Sequence, residues 1–434
     1  MGENVRKEFM AKTGRRVAVL GGGRTPFVKS FGPYKRFTNQ DLLTAVLSDL
    51  TSRFKLKNKQ IGDVALGSVI HHSTDWNLAR EVVLGSGLAR STPAYNLQRA
   101  CGTGLEAFVQ VALKIQSGQI EAGIAGGSDT NSDTPFFSPR SLSWALIEAQ
   151  SQRSFFGKAK VLAGIRLRDL IPRSLEVREP RTGLSMGEHC ELMVKEWNVN
   201  REDQDTLALQ SHRNAARAYL EGFFDGLLIE FNGVKRDSIL RSDSTMEKLN
   251  ALRPAFGGGA TGTLTAGNSS SLTDGASAVL LCSEEYAESS GWEPLAYFVD
   301  AHVAAVDFVG GDGLLMAPTI AVAELLKRNQ LRLQDFDYYE IHEAFAGQVL
   351  CTLKAWENAE YCRKNLGATG ALGSIDRDKI NVKGGSLALG HPFAATGGRI
   401  VASLAKLLKT KGKGRGLISI CTAGGMGVAA ILEA

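Results

Sequence analysis

The sequence predicts an α/β protein made of two related halves with a lobe inserted between them. Its 48 glycines cluster at the ends of short apolar runs, as where strands feed tight turns into helices. Three segments recur in the same order in the two ends of the chain, the mark of an internal repeat. Residues 122–255 are more polar and more helical than either flank. At 434 residues and 44% hydrophobic, the chain can bury a core large enough for two or three lobes.

The first strand is expected at Val17–Leu20, followed by Gly21-Gly22-Gly23 and Arg24-Thr25-Pro26. A glycine turn after a strand invites a dinucleotide-binding reading. Pro26 and the missing GxGxxG spacing argue against it. VALGSVI (64–70) is echoed by YYEIHEAFA (338–346), each an apolar run ending in polar residues that a sheet edge would present. AYNLQRACGTGLEAF (94–108) is echoed by INVKGGSLALGHPFAATGGRI (380–400), each read as strand, turn and amphipathic helix. AGIAGGSD (122–129) is echoed by GLISICTAGGMG (416–427), each a strand running into glycines. In the insertion, EDQDTLALQSHRNAARAYLEG reads as a helix stopped by Gly222. Residues 140–173 carry Arg140, Arg153, Lys158, Lys160, Arg166, Arg168 and Arg173 among Trp144, Phe155, Phe156 and Leu162. Such a stretch can lie on a membrane surface, grip a partner or form a solvated face over the core.

Lys and Arg number 50 against 45 Asp and Glu, a net charge of +5. That balance argues against a nucleic-acid-wrapping protein and leaves room for basic patches that suit an anionic substrate. No apolar run reaches the roughly 20 residues of a bilayer-spanning helix. The first sixteen residues, MGENVRKEFMAKTGRR, lack the apolar core of a secretory signal. Arg6 stands where a myristoylation motif needs Ser or Thr. Six cysteines give neither the density of a disulfide scaffold nor zinc-site spacing. A soluble, cytoplasmic protein without a metal is expected. His71 and His72 read as loop or subunit-contact residues. Cys190, Cys282, Cys351 and Cys362 read as core or surface thiols, and the Lys406–Arg415 basic run as a solvated turn.

Chemistry concentrates at four positions. Cys101, in Ala100-Cys101-Gly102-Thr103-Gly104, precedes a run whose Leu105, Phe108, Ala112 and Ile115 keep helical spacing. A helix N-terminus would favour thiolate and draw its pKa below the free value of about 8.5. Taken alone, Cys101 would be a small buried hydrophobe. His391, in Gly390-His391-Pro392, occupies the corresponding turn of the second half, with Pro392 suited to a first helical position. A repeat would bring the two turns together, and cysteine with a histidine base is a recurring activated nucleophile. Cys421 follows the last echoed strand, where Gly424 and Gly425 leave backbone N–H groups free to form an oxyanion hole. His342 ends another strand at the same inferred edge, with Glu343 orienting a neighbour or serving structure.

These segments resemble the signatures of the thiolase superfamily: the cysteine turn, HEAF (342–345), GHPFAATG (390–397) and CTAGGMG (421–427). The resemblance extends to RTPF (24–27), LRPAF (252–256) and TAGNSSSLTDGA (265–276), and so over nearly the whole chain. It implies a layered α-β-α-β-α core, with an N-terminal half at 1–121 completed by 256–291 and a C-terminal half at 292–434. Residues 122–255 would be an inserted loop domain that binds coenzyme A. It further implies Cys101 as the acylated nucleophile, His391 as its base and Cys421 as the acid/base at the acetyl α-carbon. His342 would polarise the thioester carbonyl, and the backbone N–H groups of Cys101 and Ala423 would form a second oxyanion hole. Arg241 and Ser270 would contact coenzyme A, which is a substrate, so that no cofactor is implied.

His342 replaces the usual Asn, and Ala394 the usual second Gly. Both look like the thiolase subunit of the fatty-acid β-oxidation complex, the trifunctional β-subunit type. That type implies 3-oxoacyl-CoA cleavage, a hydratase/dehydrogenase α-subunit as partner, and a homodimer or homotetramer. Gly102-Thr103 departs from the common small-Ser pattern. An acetoacetyl-CoA-forming acetyltransferase would share every catalytic residue. A 3-oxoacyl synthase would bring histidine where Cys421 stands, and a non-catalytic scaffold subunit would have lost one of the four groups.

Overall fold

The structure, a computed structural model, describes residues 14–174, 177–257 and 261–434. The reading of Met1–Thr13 as lacking a leader or lipidation motif lies outside them. Strands β1 (Val17–Arg24), β2 (Val28–Lys29), β3 (Asp63–Gly67), β4 (Ala94–Asn96) and β5 (Ala122–Asp129) come from the N-terminal part. A small hairpin, β6 (Phe136–Phe137) with β7 (Arg173–Ser174), belongs to the insertion. Then follow β8 (Thr273–Ser283), β9 (Ala296–Ala305), β10 (Tyr338–Ile341), β11 (Arg415–Thr422) and β12 (Met426–Glu433).

Strand order proves the repeat. The first half runs β1-β8-β5-β3-β4 and the second β9-β12-β11-β10. In both, the innermost pairings are antiparallel and the outermost parallel. The second half has no counterpart of β4 as a full strand. The strand expected near Ile380 is reduced to one parallel bridge, Tyr339 to Ile380. The halves join through three residue pairs, Val17–Phe298 to Val19–Ala296, between β1 and β9.

Three apolar layers follow from period-2 alternation in strands buried on both faces. Val279 and Leu281 of β8, Ile418 and Ile420 of β11, and Val428 and Ala430 of β12 point to a central layer. There they meet the helix Thr103–Gln116 and the helix Ala395–Lys411. Leu280 and Cys282 of β8 point instead to an outer layer with the helix Asn39–Arg53. Leu417 of β11 and Ile431 of β12 face the other outer layer, with Leu325, Leu353 and Trp356. Each fully buried Leu or Ile contributes roughly 1.5–3 kcal/mol. The order α-β-α-β-α is thus written in which face each alternate residue takes.

The boundary expected at 122 moves. Ala122–Asp129 is a central strand, paired with β3 and β8, so the insertion begins after Asp129. Its far part is welded to the core: Ala215, Ala218, Phe223 and Phe224 join the central layer, and buried Arg24 of β1 pairs with Asp237 at 2.6 Å. Its near part is different. Phe155, Phe156 and Leu167 are 79%, 84% and 85% exposed, so a solvated face over a core does not describe 140–173. Among the described residues, no helix is long and apolar enough to cross a membrane.

His72 pairs with Asp133 of the insertion, Nε2 to carboxylate 3.3 Å, a loop contact. The four remaining cysteines are all buried. The basic run after residue 405 is anchored rather than freely solvated, Lys406 on the carbonyls of Phe223 and Asp225 and Lys411 on Asp337.

Candidate active site

Two helices that start at the same face of the central layer bring the site together. A Cβ at Gly104 would stand 2.4 Å from the Ala394 carbonyl oxygen, and one at Gly397 would stand 2.1 Å from the Leu105 nitrogen. Glycine at both positions lets the helices cross backbone to backbone, so the Cys101 and His391 turns meet. On its other side, Gly102 packs against Thr422 and Val428, which sets the Cys101 turn beside the end of β11.

The Cys101 turn is tight. Ala100 adopts φ +44°, a left-handed conformation costing about 1 kcal/mol for a residue with a Cβ. Thr103 clamps it: its hydroxyl donates to the Ala100 carbonyl at 2.7 Å and accepts from Arg99 N at 2.8 Å. The unusual Thr103 therefore has a job in holding the turn.

Burial pushes the Cys101 thiol up to about 12, with the Asp129 carboxylate adding to the rise and the backbone N–H of Ala423 opposing it. The expectation of a thiolate drawn out by the helix terminus is thus overturned. Half a unit charge of helix dipole does not offset desolvation of a thiolate. Cys421 is 1% exposed, and burial and the nearby Cys101 push its thiol well above the usual range.

The two imidazoles face each other, ring centroids 4.2 Å apart and tilted 50°. His391 Nδ1 lies 2.6 Å from Thr396 Oγ1 and His342 Nδ1 lies 3.0 Å from Ser386 Oγ. Nε2 of each is buried without a hydrogen-bond partner among the described residues. Burial, and then the Arg399 guanidinium, lower His391 to about 3. Burial, His391 and Arg399 hold His342 well below the ordinary histidine range. The resting site therefore holds a neutral thiol and two neutral imidazoles.

Asp129 and Glu179 escaped the sequence reading. Asp129, at the end of β5, accepts from the N–H groups of Val69, Ile70 and Ala394 at 2.7–2.9 Å. Burial nonetheless raises it to about 7. Glu179 of the insertion accepts from Gly424 N at 2.6 Å and so fixes the turn that presents the Ala423 N–H. Glu343 does orient neighbours, accepting from Ser211 Oγ at 2.7 Å and Asn381 Nδ2 at 2.6 Å. Only Asp129 carried a signal, an acid at the carboxyl end of a glycine-rich strand.

The two coenzyme A candidates are placed differently. Ser270 sits beside the HEAF turn, its N–H donating to the Ala344 carbonyl at 2.9 Å. Arg241 is exposed on the insertion, its backbone N–H on His212 Nδ1 at 3.2 Å, and the thiol–imidazole cluster does not include it. Among the described residues, no group of three or more His, Cys, Asp or Glu is arranged to hold a metal ion.

This fold with this cluster defines an enzyme of the acyltransferase class. The thiolase N-terminal domain matches residues 17–285 and the thiolase C-terminal domain residues 292–434: the chain belongs to the thiolase family. It is 39% identical over 434 residues to a 3-ketoacyl-CoA thiolase of Shewanella baltica, covering 99% of both chains. To one of Shewanella loihica it is 40% identical, with 97% of both covered. Its fold is similar to the Bacillus anthracis acetyl-CoA acetyltransferase, with TM-score 0.81, 32% identity, and 97% of this chain and 99% of that one covered. It is also similar to human mitochondrial 3-ketoacyl-CoA thiolase in complex with CoA, with TM-score 0.80, 29% identity, and 97% and 98% covered.

Proposed function

We propose that the protein is a 3-ketoacyl-CoA thiolase of fatty-acid β-oxidation, with Cys101 as its acylated nucleophile. One observation carries the reading: the Cys101 and His391 turns meet backbone to backbone through Gly104 and Gly397, with Cys421 close enough to Cys101 for the two thiols to act on each other. His391 Nε2 takes the thiol proton as sulfur bonds to the 3-keto carbon of a 3-oxoacyl-CoA. Because the thiol rests near 12 and His391 near 3, the proton leaves only as the carbon–sulfur bond forms. The resulting oxyanion is held by backbone N–H groups of Cys101 and Ala423. Its collapse breaks the bond between C2 and C3, and the acetyl-CoA enolate, facing His342, takes a proton at C2 from Cys421. Coenzyme A then attacks the acyl-cysteine, its thiol proton returning through His391 and Cys421. Shortened acyl-CoA leaves and both thiols are restored, in a ping-pong cycle.

Residues 130–255 supply the coenzyme A surface in this reading, with Arg241 offering its exposed charge to phosphate and Ser270 lying along the approach to the HEAF turn. Coenzyme A is a substrate and no cofactor is called for. The exposed Phe155, Phe156 and Leu167 among basic residues fit a hydratase/dehydrogenase partner subunit on a homodimer or homotetramer in the cytoplasm. Co-purification with such a subunit, lost when Arg153, Lys158 and Lys160 are neutralised, tests this. Unchanged association would remove it, and loss of membrane recovery alone would assign the patch to lipid.

The deciding experiment is coenzyme A-dependent cleavage of short- and long-chain 3-oxoacyl-CoA by the parent, Cys101→Ala and Cys421→Ala. Each variant should lose at least about 10³-fold in kcat, with long chains cleaved by the parent. Turnover confined to acetoacetyl-CoA would instead assign the acetyltransferase. That alternative has its own support, since the Bacillus anthracis acetyltransferase is as similar in fold.

A further inference from the structure

His342 and His391 are chemically alike, buried together and both neutral, yet the proposed reaction asks opposite things of them. One must accept a proton at Nε2, and the other must donate a hydrogen bond there. What differs is the hydroxyl behind each ring. Ser386 Oγ lies 3.0 Å from His342 Nδ1 and also accepts from Arg399 Nη2 at 3.1 Å. A guanidinium has only donors, so the serine oxygen spends a lone pair on Arg399. Among the described residues, Ser386 Oγ has no other hydrogen-bond partner. Its own hydrogen then has one acceptor in reach, His342 Nδ1. An Nδ1–H would instead point at an oxygen already turned toward a buried cation. Arg399 is itself fixed, 2% exposed and 3.9 Å from Glu340 of β10.

Behind His391 the pattern changes. Thr396 Oγ1 lies 2.6 Å from Nδ1 and, among the described residues, receives no guanidinium, so it is free to accept an Nδ1–H and leave the lone pair at Nε2.

The geometry points to Arg399 and Ser386 as positioning residues that lock His342 into its Nε2–H tautomer, making it a hydrogen-bond donor to the substrate oxygen beside a histidine that accepts protons. The inference rests on the thiolase reading for its kinetic consequence but not for the tautomer itself. An unpartnered Nε2–H buried at the site is a preorganised donor, complete only when an oxygen arrives. Substitution of Asn for His342 would also donate, but needs no relay because an amide carries its hydrogens in either case.

The test is nitrogen-15 NMR of the full-length protein labelled at histidine, with the His342 signals identified by their loss in His342→Asn. The parent should show a protonated Nε2 and an unprotonated Nδ1. Ser386→Ala should shift both toward a tautomer mixture and lower kcat about tenfold with KM changed less than about twofold. Ser386→Thr should restore both. In the His342→Asn background, the same Ser386→Ala change should cost less than about twofold. An unprotonated Nε2 in the parent overturns the inference, as does an equal kcat loss in both backgrounds. Absence of thiolysis in the parent would defeat the proposed function, while the tautomer measurement would still decide this point.

Discussion

The turn that carries Cys101 and the turn that carries His391 hold equivalent places in the two halves but are built in different ways. The first keeps its preceding strand, β4, and forces the chain through Ala100 at φ +44° under the Thr103 clamp. The second uses Gly390 at φ +100° and has given up the strand. Where β4 would be, Asn381 holds Glu343 and the backbone of Ile341, and Ser386 backs His342. One half spends its residues on presenting a single atom. The other spends them on a hydrogen-bonded network that orients two rings.

Four measurements break or sharpen that contrast. The largest effect is expected from His391→Ala, which removes the buried imidazole of the second turn. It should lower kcat for thiolysis by about 10²–10⁴-fold. Next comes the thiol itself. With Cys101 at about 12, the thiolate fraction rises tenfold for each pH unit up to that value. Alkylation of the resting enzyme by iodoacetamide should therefore climb without a plateau through pH 9, and a plateau near pH 7 would mean a preformed thiolate. Gly397→Ala adds a methyl against the Leu105 backbone and should cost about 1–3 kcal/mol in denaturant titration. Smallest is Thr103→Val, which releases the clamp on the Cys101 side alone. It should cost about 1 kcal/mol and leave the His342 and His391 resonances unmoved.

The repeat was legible because strand-ending motifs sit at matching intervals, and motif spacing survives in sequence when side chains diverge. The placement of Cys101, His342, His391 and Cys421 at strand ends and turns was legible for the same reason, while the roles given to them belong to the proposed function. What was not legible depends on contacts made across hundreds of residues. The thiol's direction of shift is set by walls drawn from both halves, which local helix position cannot report. The boundary at 122 failed because a glycine-rich strand, AGIAGGSD, gives no compositional break from the loop that follows it. Glu179 and Arg399 gave no sign at all, since a carboxylate in a polar stretch and an arginine in a helix look like surface. Burial of Arg399 at 2% exposure is a tertiary fact.

The way the insertion is fastened limits how this enzyme could be trimmed. Glu179 caps Gly424 in the far half, and Asp237 neutralises Arg24 inside β1. Excising residues 130–255 and closing the gap would strand a buried guanidinium without its carboxylate, a loss of about 3–5 kcal/mol, and would free the turn that bears the Ala423 N–H. A minimal version of this protein, reduced to its symmetric scaffold, would be unstable and would leave the Gly424 turn without the carboxylate that fixes it. The lobe is a structural keystone as much as a binding surface, and loop-swapping experiments should exchange it only with both anchors retained.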